Sequence, residues 1–350
     1  MTGKHRFQPR LALAILLLLT GLAGALAPST SAVQSSPVAG TDAACPEATP
    51  VSGAAPEGLT VGYAGLSGEF PFVQDVNGGL ERAAGCFGVE LLIADNEYDP
   101  QKALEVADNL ITRDIDVAIE FQTDVGVAPA LCSKFEAAAI PVIAIDIPHP
   151  CAVFFGANNL EAGRIGGENL ARVANERWGG DVDALVALEL PQSGELPQQR
   201  IDGAIEAAQA ALPSLTDDKI VRVDGKGSLE GSLTAMQDAL TRLSDADHIL
   251  VTAINDPSAV GAMRAVEQAD RLDQVAIAGQ NATIEARDEI CKGNEAFIGS
   301  VAYFPDRYGD KLIPLAIDLA NGVEAPEAVY IDHLWIDSTN IDQFYPGECG

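Results

Sequence analysis

Basic side chains are scarce in this chain of 350 residues: 21 Lys and Arg stand against 51 Asp and Glu, for a net charge of −30. A surface with that balance repels phosphate backbones and anionic lipid, so nucleic acid is removed from the set of partners. Histidine is sparse too. His149, His248 and His333 lie in separate segments, and no two cysteines form a Cys-x-x-Cys pair, so no zinc-ligand spacing exists. The phosphate-loop pattern Gly-x-x-x-x-Gly-Lys-Ser/Thr and the nucleophile elbow Gly-x-Ser-x-Gly are both absent. The stretch 156–167 departs from the dinucleotide fingerprint, because six residues separate Gly156 from the next glycine. No histidine sits where a catalytic triad needs one. The expectation is a protein that is not an enzyme and uses no cofactor.

What is present starts with an export leader at residues 1–32. Lys4, Arg6 and Arg10 supply the positive start, residues 11–22 the apolar stretch, and Thr30, Ser31 and Ala32 a small-residue cleavage site. Thr20, Gly21 and Gly24 break the apolar run and no basic stop-transfer cluster follows, which favours cleavage over a retained anchor. No cysteine follows closely to accept a lipid. The mature chain is expected to begin near Val33, with 18 basic against 51 acidic side chains, and to work in the periplasm or outside the cell.

Cys45, Cys86, Cys132, Cys151, Cys291 and Cys349 are even in number, which in an exported protein points to disulfides. Neighbouring pairs 45/86, 132/151 and 291/349 would staple local elements, although six cysteines can pair in many other ways.

Residues 33–57 are rich in Ser, Pro, Ala and Thr without hydrophobic periodicity, as in a flexible spacer. Beyond them short β-branched runs alternate with amphipathic stretches. Strands are expected at 59–64, 89–94, 117–121, 141–147, 152–156, 184–190, 220–223, 249–254, 275–278 and 297–302. Asp99-Pro100 and Asn255-Asp256-Pro257 open helices with a cap and an early proline. Strands spaced by single helices imply parallel sheets with covered faces, and this many strands exceed one sheet, so two α/β lobes are expected.

Several segments, in this order, carry a resemblance: Phe70-Pro71-Phe72-Val73 ahead of Asn77-Gly78-Gly79, then 94–100 followed by 103–110, and 140–146 ending in Asp146. After them come 156–167, 199–203 around Arg200, 255–265 opening on Asn255, and 302–305 with Tyr303. Over roughly residues 59–345 the chain resembles the periplasmic sugar-binding proteins of the ribose and galactose type. The resemblance implies the type 1 periplasmic binding protein fold: two doubly wound parallel-sheet lobes joined by a three-strand hinge. Carried onto this chain, the crossings fall near 177–183, near Phe304 and near 324–326. The N-terminal lobe would then be 58–177 plus 304–324, and the C-terminal lobe 178–303 plus 325–345. A DNA-binding regulator of the same fold would carry a helix-turn-helix where the leader and spacer stand. The implied function is capture of a small carbohydrate-like ligand and its delivery to the permease of an ABC transporter, by a monomer. The same folded domain would also serve a ligand-sensing module for a chemoreceptor or histidine kinase, and an exported glycoside hydrolase is the enzymatic alternative.

Ligands of open α/β sheets bind beyond the carboxyl ends of the strands. There stand Gln122, Asp146, Asn158, Asn255 and Asn281, with Arg200 at a helix start, Tyr303 near a crossing, and Phe70, Phe72 and Phe121 as rings to cover a sugar face. By resemblance Arg200 and Asn255 match ligand-binding positions. Asn158 and Asn281 replace carboxylates of the family pattern, Tyr303 replaces a frequent Gln, and Phe121 an Asn. Losing the facing carboxylates leaves a more positive pocket, suited to a ligand with an acid or phosphate group, or to an aglycone stacked on Phe121 and Tyr303. Asn158 and Asn255 are equally readable as helix caps, and Phe70 and Phe72 as core.

Overall fold

Each expected β-branched run forms a strand in the computed structural model, which describes residues 34–35, 45–46, 48–324 and 326–350. The expected leader lies outside the described residues. The first sheet takes β1 (Gln34–Ser35), β2 (Thr60–Gly65), β3 (Glu90–Asp95), β4 (Val117–Glu120), β5 (Val142–Ile145) and β6 (Ala152–Gly156). Its order is β1-β3-β2-β4-β5-β6, parallel apart from β1. α1 (Pro71–Phe87) packs on one face, and α2 (Pro100–Thr112) and α3 (Ala128–Ala137) on the other. Alternate residues of a strand point to opposite faces. So Val117 and Ile119 join the α1 side while Ala118 joins the α2 and α3 side.

The second sheet repeats the plan with β7 (Ala184–Glu189), β8 (Ile220–Asp224), β9 (Ile249–Ala253), β10 (Val275–Asn281) and β11 (Phe297–Ala302), in the order β11-β10-β9-β7-β8. α6 (Leu229–Arg242), α7 (Asp256–Gln268) and α8 (Ile284–Cys291) cover one face. α4 (Asn159–Trp178) and α5 (Glu195–Ala211) cover the other. The helix signals act as read. Asp99 accepts the Gln101 and Lys102 amides at 2.7 and 2.9 Å, and Asn255 accepts the Ser258 amide at 3.0 Å.

Two of the three expected crossings lie elsewhere. α4 packs not on the first sheet but on the second sheet and α5, so the chain leaves the first sheet at Ala157 and Asn158 rather than near 177–183. Small residues cause this: a Cβ on Gly163 would meet the Arg200 carbonyl, and one on Gly167 the Ala204 carbonyl, so α4 and α5 approach at backbone distance. The crossing near Phe304 does carry the chain from β11 to α9 (Tyr308–Ala320), which packs beside α1. The last crossing falls at residues 331–333 rather than 324–326. There β12 (Ala328–Tyr330) adds to β6 in the first sheet, and β13 (Leu334–Ile336) pairs antiparallel with β11 in the second, before the short α10 (Ile341–Phe344).

The end of the expected spacer is docked. Asp318 of α9 accepts the Val51 amide at 3.1 Å and, from Ser52, the amide at 2.8 Å and the hydroxyl at 2.6 Å. Disulfides join Cys45 to Cys86, Cys132 to Cys151 and Cys291 to Cys349, which resolves the open pairing. Among the described residues no helix is long and apolar enough to cross a membrane, and no group of side chains is placed to hold a metal ion.

Candidate ligand-binding site

In each sheet the strand order reverses at one point, between β2 and β4 in the first and between β7 and β9 in the second. The residues just beyond these strands, Leu66 and Phe121 on one side and Leu190, Ile254 and Asn255 on the other, face a common cleft. It encloses about 790 Å³ of space, part of it open to solvent. Seven of the ten expected residues line it: Phe70, Phe72, Phe121 and Asp146 from the first sheet's side, Arg200, Asn255 and Asn281 from the second's.

The other three do not. Gln122 is 1% exposed and its Oε1 accepts the Asp124 amide at 3.0 Å, bracing the loop after β4. Asn158 turns outward and caps α4 through the Glu161 amide at 3.3 Å. Tyr303 lies behind the lining, 1% exposed, with its ring centroid 4.8 Å from the Arg200 guanidinium carbon. Its hydroxyl donates to Gln280 Oε1 at 2.9 Å, and Gln280 Nε2 donates to the Ala162 carbonyl at 3.2 Å. Tyr303 therefore supports Arg200 from beneath, and no ligand ring can stack on it. Burial raises its phenol well above the usual range, so it stays a neutral donor.

Arg200 is the most constrained group in the site. Nε and Nη2 donate to Asn159 Oδ1 at 3.1 and 2.8 Å, and Nη1 donates to the Ile254 carbonyl at 2.6 Å. A guanidinium carries five N–H groups, so those not engaged by the protein remain for the cleft. Across from it Asp146, at φ 58°, accepts the Ala157 amide through Oδ1 at 3.1 Å. Burial raises the Asp146 pKa while Arg200 pulls it back down, the net direction being upward. Gly156 leaves the room for this carboxylate, since a Cβ there would meet its Oδ1. Nearby, burial and Arg200 together push His333 down to about 4, and its neutral Nε2 accepts the Asn158 amide at 3.1 Å.

Asn255 both caps and lines: Oδ1 takes the Ser258 amide while Nδ2 donates to the Gly227 carbonyl at 2.9 Å. Asn281 ends β10 at φ 108°, and its side-chain amide has no protein partner among the described residues. The strained turn it opens is held by buried Asp256, which accepts the Thr283 amide and the Ser300 hydroxyl, both at 2.7 Å. Ser300 Oγ in turn accepts the Ala282 amide at 3.0 Å.

On the opposite wall the rings lock one another edge to face. Phe70 meets Tyr98 at 5.4 Å between centroids, Phe72 meets Phe121 at 5.9 Å, and Phe72 also rests on Tyr308 at 5.6 Å. The walls touch across the cleft as well: the Val125 amide donates to the Gln192 carbonyl at 3.1 Å, and the Tyr98 hydroxyl to the Lys226 carbonyl at 3.3 Å.

Sequence reasoning missed Asn159, Tyr98, Leu66 and Ile147. Leu66 directly follows β2 but is apolar, and Tyr98 stands three residues past the end of β3, so a search for polar residues just beyond the strands passes over both. Asn159 is hidden by its neighbour, since the cap takes Asn158 outward and leaves the first helical residue pointing at Arg200.

Comparison with known proteins agrees with this architecture. A ribose import binding protein of Salmonella typhimurium is 26% identical over 267 residues, 74% of this chain and 84% of its own length. An ABC transporter solute binding protein from Mycobacterium smegmatis, solved with glycerol bound, superposes with a TM-score of 0.72 at 26% identity, covering 82% of this chain and 96% of that one. Another from Actinobacillus succinogenes, solved with D-allose, gives 0.71 at 20% identity, over 81% and 99%. The model of the periplasmic binding protein domain matches residues 61–324. That stretch runs from β2 through α9 and takes in every residue of the cleft, so this chain belongs to the periplasmic binding protein family.

Proposed function

We propose that the protein is an extracytoplasmic solute receptor. It captures a small carbohydrate-like molecule between its two walls and, as a monomer, presents the loaded form to the permease of an ABC transporter. The observation that carries this reading is the pairing across one cleft of a guanidinium and two amides (Arg200, Asn255 and Asn281) with a carboxylate and locked aromatic rings (Asp146, Phe70, Phe72 and Phe121). Amides both donate and accept, as each sugar hydroxyl does, and the rings cover the apolar face of a sugar. Relatives named for ribose import and for binding D-allose support the class of ligand, and the leader read at residues 1–32 supports work outside the cytoplasm. Proteins of this family bind solutes, and this chain is not an enzyme.

A ligand bound only to the folded state, at a hundred times its dissociation constant, adds about 2.7 kcal/mol of stability. A thermal-shift screen of residues 33–350 against neutral sugars, sugar acids and polyols should raise the midpoint with one class. No shift with any of them would refute the reading.

A further inference from the structure

The hydrogen-bonding groups of the cleft are unevenly spread. The second sheet contributes Arg200, Asn255 and Asn281, whereas the first sheet's wall offers Asp146 and Thr123 at the edge of a broad apolar surface made by Leu66, Phe70, Phe72, Tyr98, Phe121 and Ile147. Ile147 is telling: it is 4% exposed, belongs to none of the hydrophobic clusters on either face of the first sheet, and faces the cleft. Much of the polar capacity that remains is already used within the protein. Arg200 spends three N–H groups on Asn159 and Ile254. Asn255 spends its carbonyl on Ser258 and one N–H on Gly227, and Ser193 donates its hydroxyl to the Leu190 carbonyl at 2.7 Å. The rings of the apolar wall are fixed by one another and by Tyr308, so they cannot swing aside to admit water.

A sugar with a hydroxyl on every carbon would place some of them against this wall without partners, and a buried unpaired hydroxyl is costly. Carbon and hydrogen placed there instead gain from burial. Resting on the carbohydrate reading above, we propose that the ligand is amphipathic: a monosaccharide-sized molecule whose hydroxyls face Arg200, Asn255 and Asn281, and whose other end is deoxygenated or carries a small alkyl or thioalkyl group seated on Ile147, Tyr98 and the phenylalanines.

Isothermal titration of the protein (residues 33–350) tests this with matched pairs: D-ribose against 5-deoxy-D-ribose and methyl ribosides, D-galactose against D-fucose and methyl galactosides, and the remaining single-deoxy sugars of each. The proposal expects at least one deoxygenated or alkylated member to bind tenfold or more tightly than its parent, about 1.4 kcal/mol. It also expects Ile147→Asn, which adds an amide to the apolar wall, to shrink that ratio at least threefold while leaving the far-ultraviolet spectrum unchanged. Parents that bind as tightly as all their derivatives would overturn the amphipathic ligand and leave the receptor reading standing. No binding by any member of either set would overturn both.

Discussion

Asn159 Oδ1 accepts two hydrogen bonds from Arg200, one from Nε at 3.1 Å and one from Nη2 at 2.8 Å. The first residue inside one helix therefore fixes the direction of a guanidinium borne by another, and the Arg200 groups left for a ligand depend on an amide that lies outside the cleft lining. Replacing Asn159 by Ala should free the guanidinium and weaken ligand binding about 10- to 100-fold, corresponding to about 1–3 kcal/mol for a buried polar group left unpaired. Asn159→Asp keeps the acceptor and should stay within a few-fold of the parent for a neutral ligand. Titration calorimetry on both variants checks the pair, and equal losses would mean that Asn159 acts only through packing.

Closure of the cleft has its own contacts. Without its hydroxyl, Tyr98→Phe cannot bond the Lys226 carbonyl, yet it keeps the ring against Phe70. The bond forms between the walls, so its loss should raise the dissociation rate about three- to tenfold, in line with about 1 kcal/mol per hydrogen bond. The association rate should change little. Stopped-flow fluorescence separates the two.

Helix packing gives a graded test. Gly163 and Gly167 both meet the backbone of α5, but Gly163 faces the carbonyl of Arg200 itself while Gly167 faces Ala204. Either Gly→Ala change should cost about 1–3 kcal/mol through overpacking. Only Gly163→Ala should also lower ligand affinity, because it shifts the residue that carries the guanidinium. Thermal melts and titrations on both variants read out the difference.

Buried carboxyl groups set a pH dependence. Burial pushes Asp256 up to about 7, against opposing hydrogen bonds from Ser300 and Thr283, and burial alone raises Glu120, whose two oxygens have no partner. A folded-state pKa above the unfolded one means that the folded protein holds the proton more tightly. The contribution is complete below about pH 4 and is lost as the pH rises through about 7. For Asp256 it amounts to up to about 4 kcal/mol. Melting midpoints should fall between about pH 4 and pH 8. Glu120→Gln should raise the midpoint at pH 8 but not at pH 4, and Asp256→Asn should flatten the slope. An unchanged slope in both variants would assign the dependence to other groups.

Much of this architecture was legible in the chain because strands and helices write local patterns. β-branched runs, the Asp99 and Asn255 caps and the strand-end rule are all short-range signals, and they located both sheets and the lining residues Asp146, Asn255 and Asn281, whereas Arg200 drew on the family resemblance as well. The crossing points were not legible, since they depend on which sheet a helix packs against. For α4 that is decided by Gly163 and Gly167 meeting residues of α5 far along the sequence. The direction of a side chain at a helix start was also hidden. Asn158 and Asn159 are the same residue type one position apart, and only the turn of the helix sends one to solvent and the other to Arg200. Tyr303 failed for a related reason: its position past β11 is right, but the fold seats it behind the guanidinium instead of beside it.

The central claim is that the cleft holds a carbohydrate-like solute through Arg200. Titration calorimetry of the parent protein and Arg200→Ala against the sugars that shift the melting midpoint tests it most directly. The account predicts one-to-one binding with a dissociation constant of about 1 μM or tighter, near −8 kcal/mol, weakened at least about tenfold in Arg200→Ala, which should also lower the melting midpoint because Asn159 and Ile254 lose their buried donor. Equal affinity in the two proteins would contradict it.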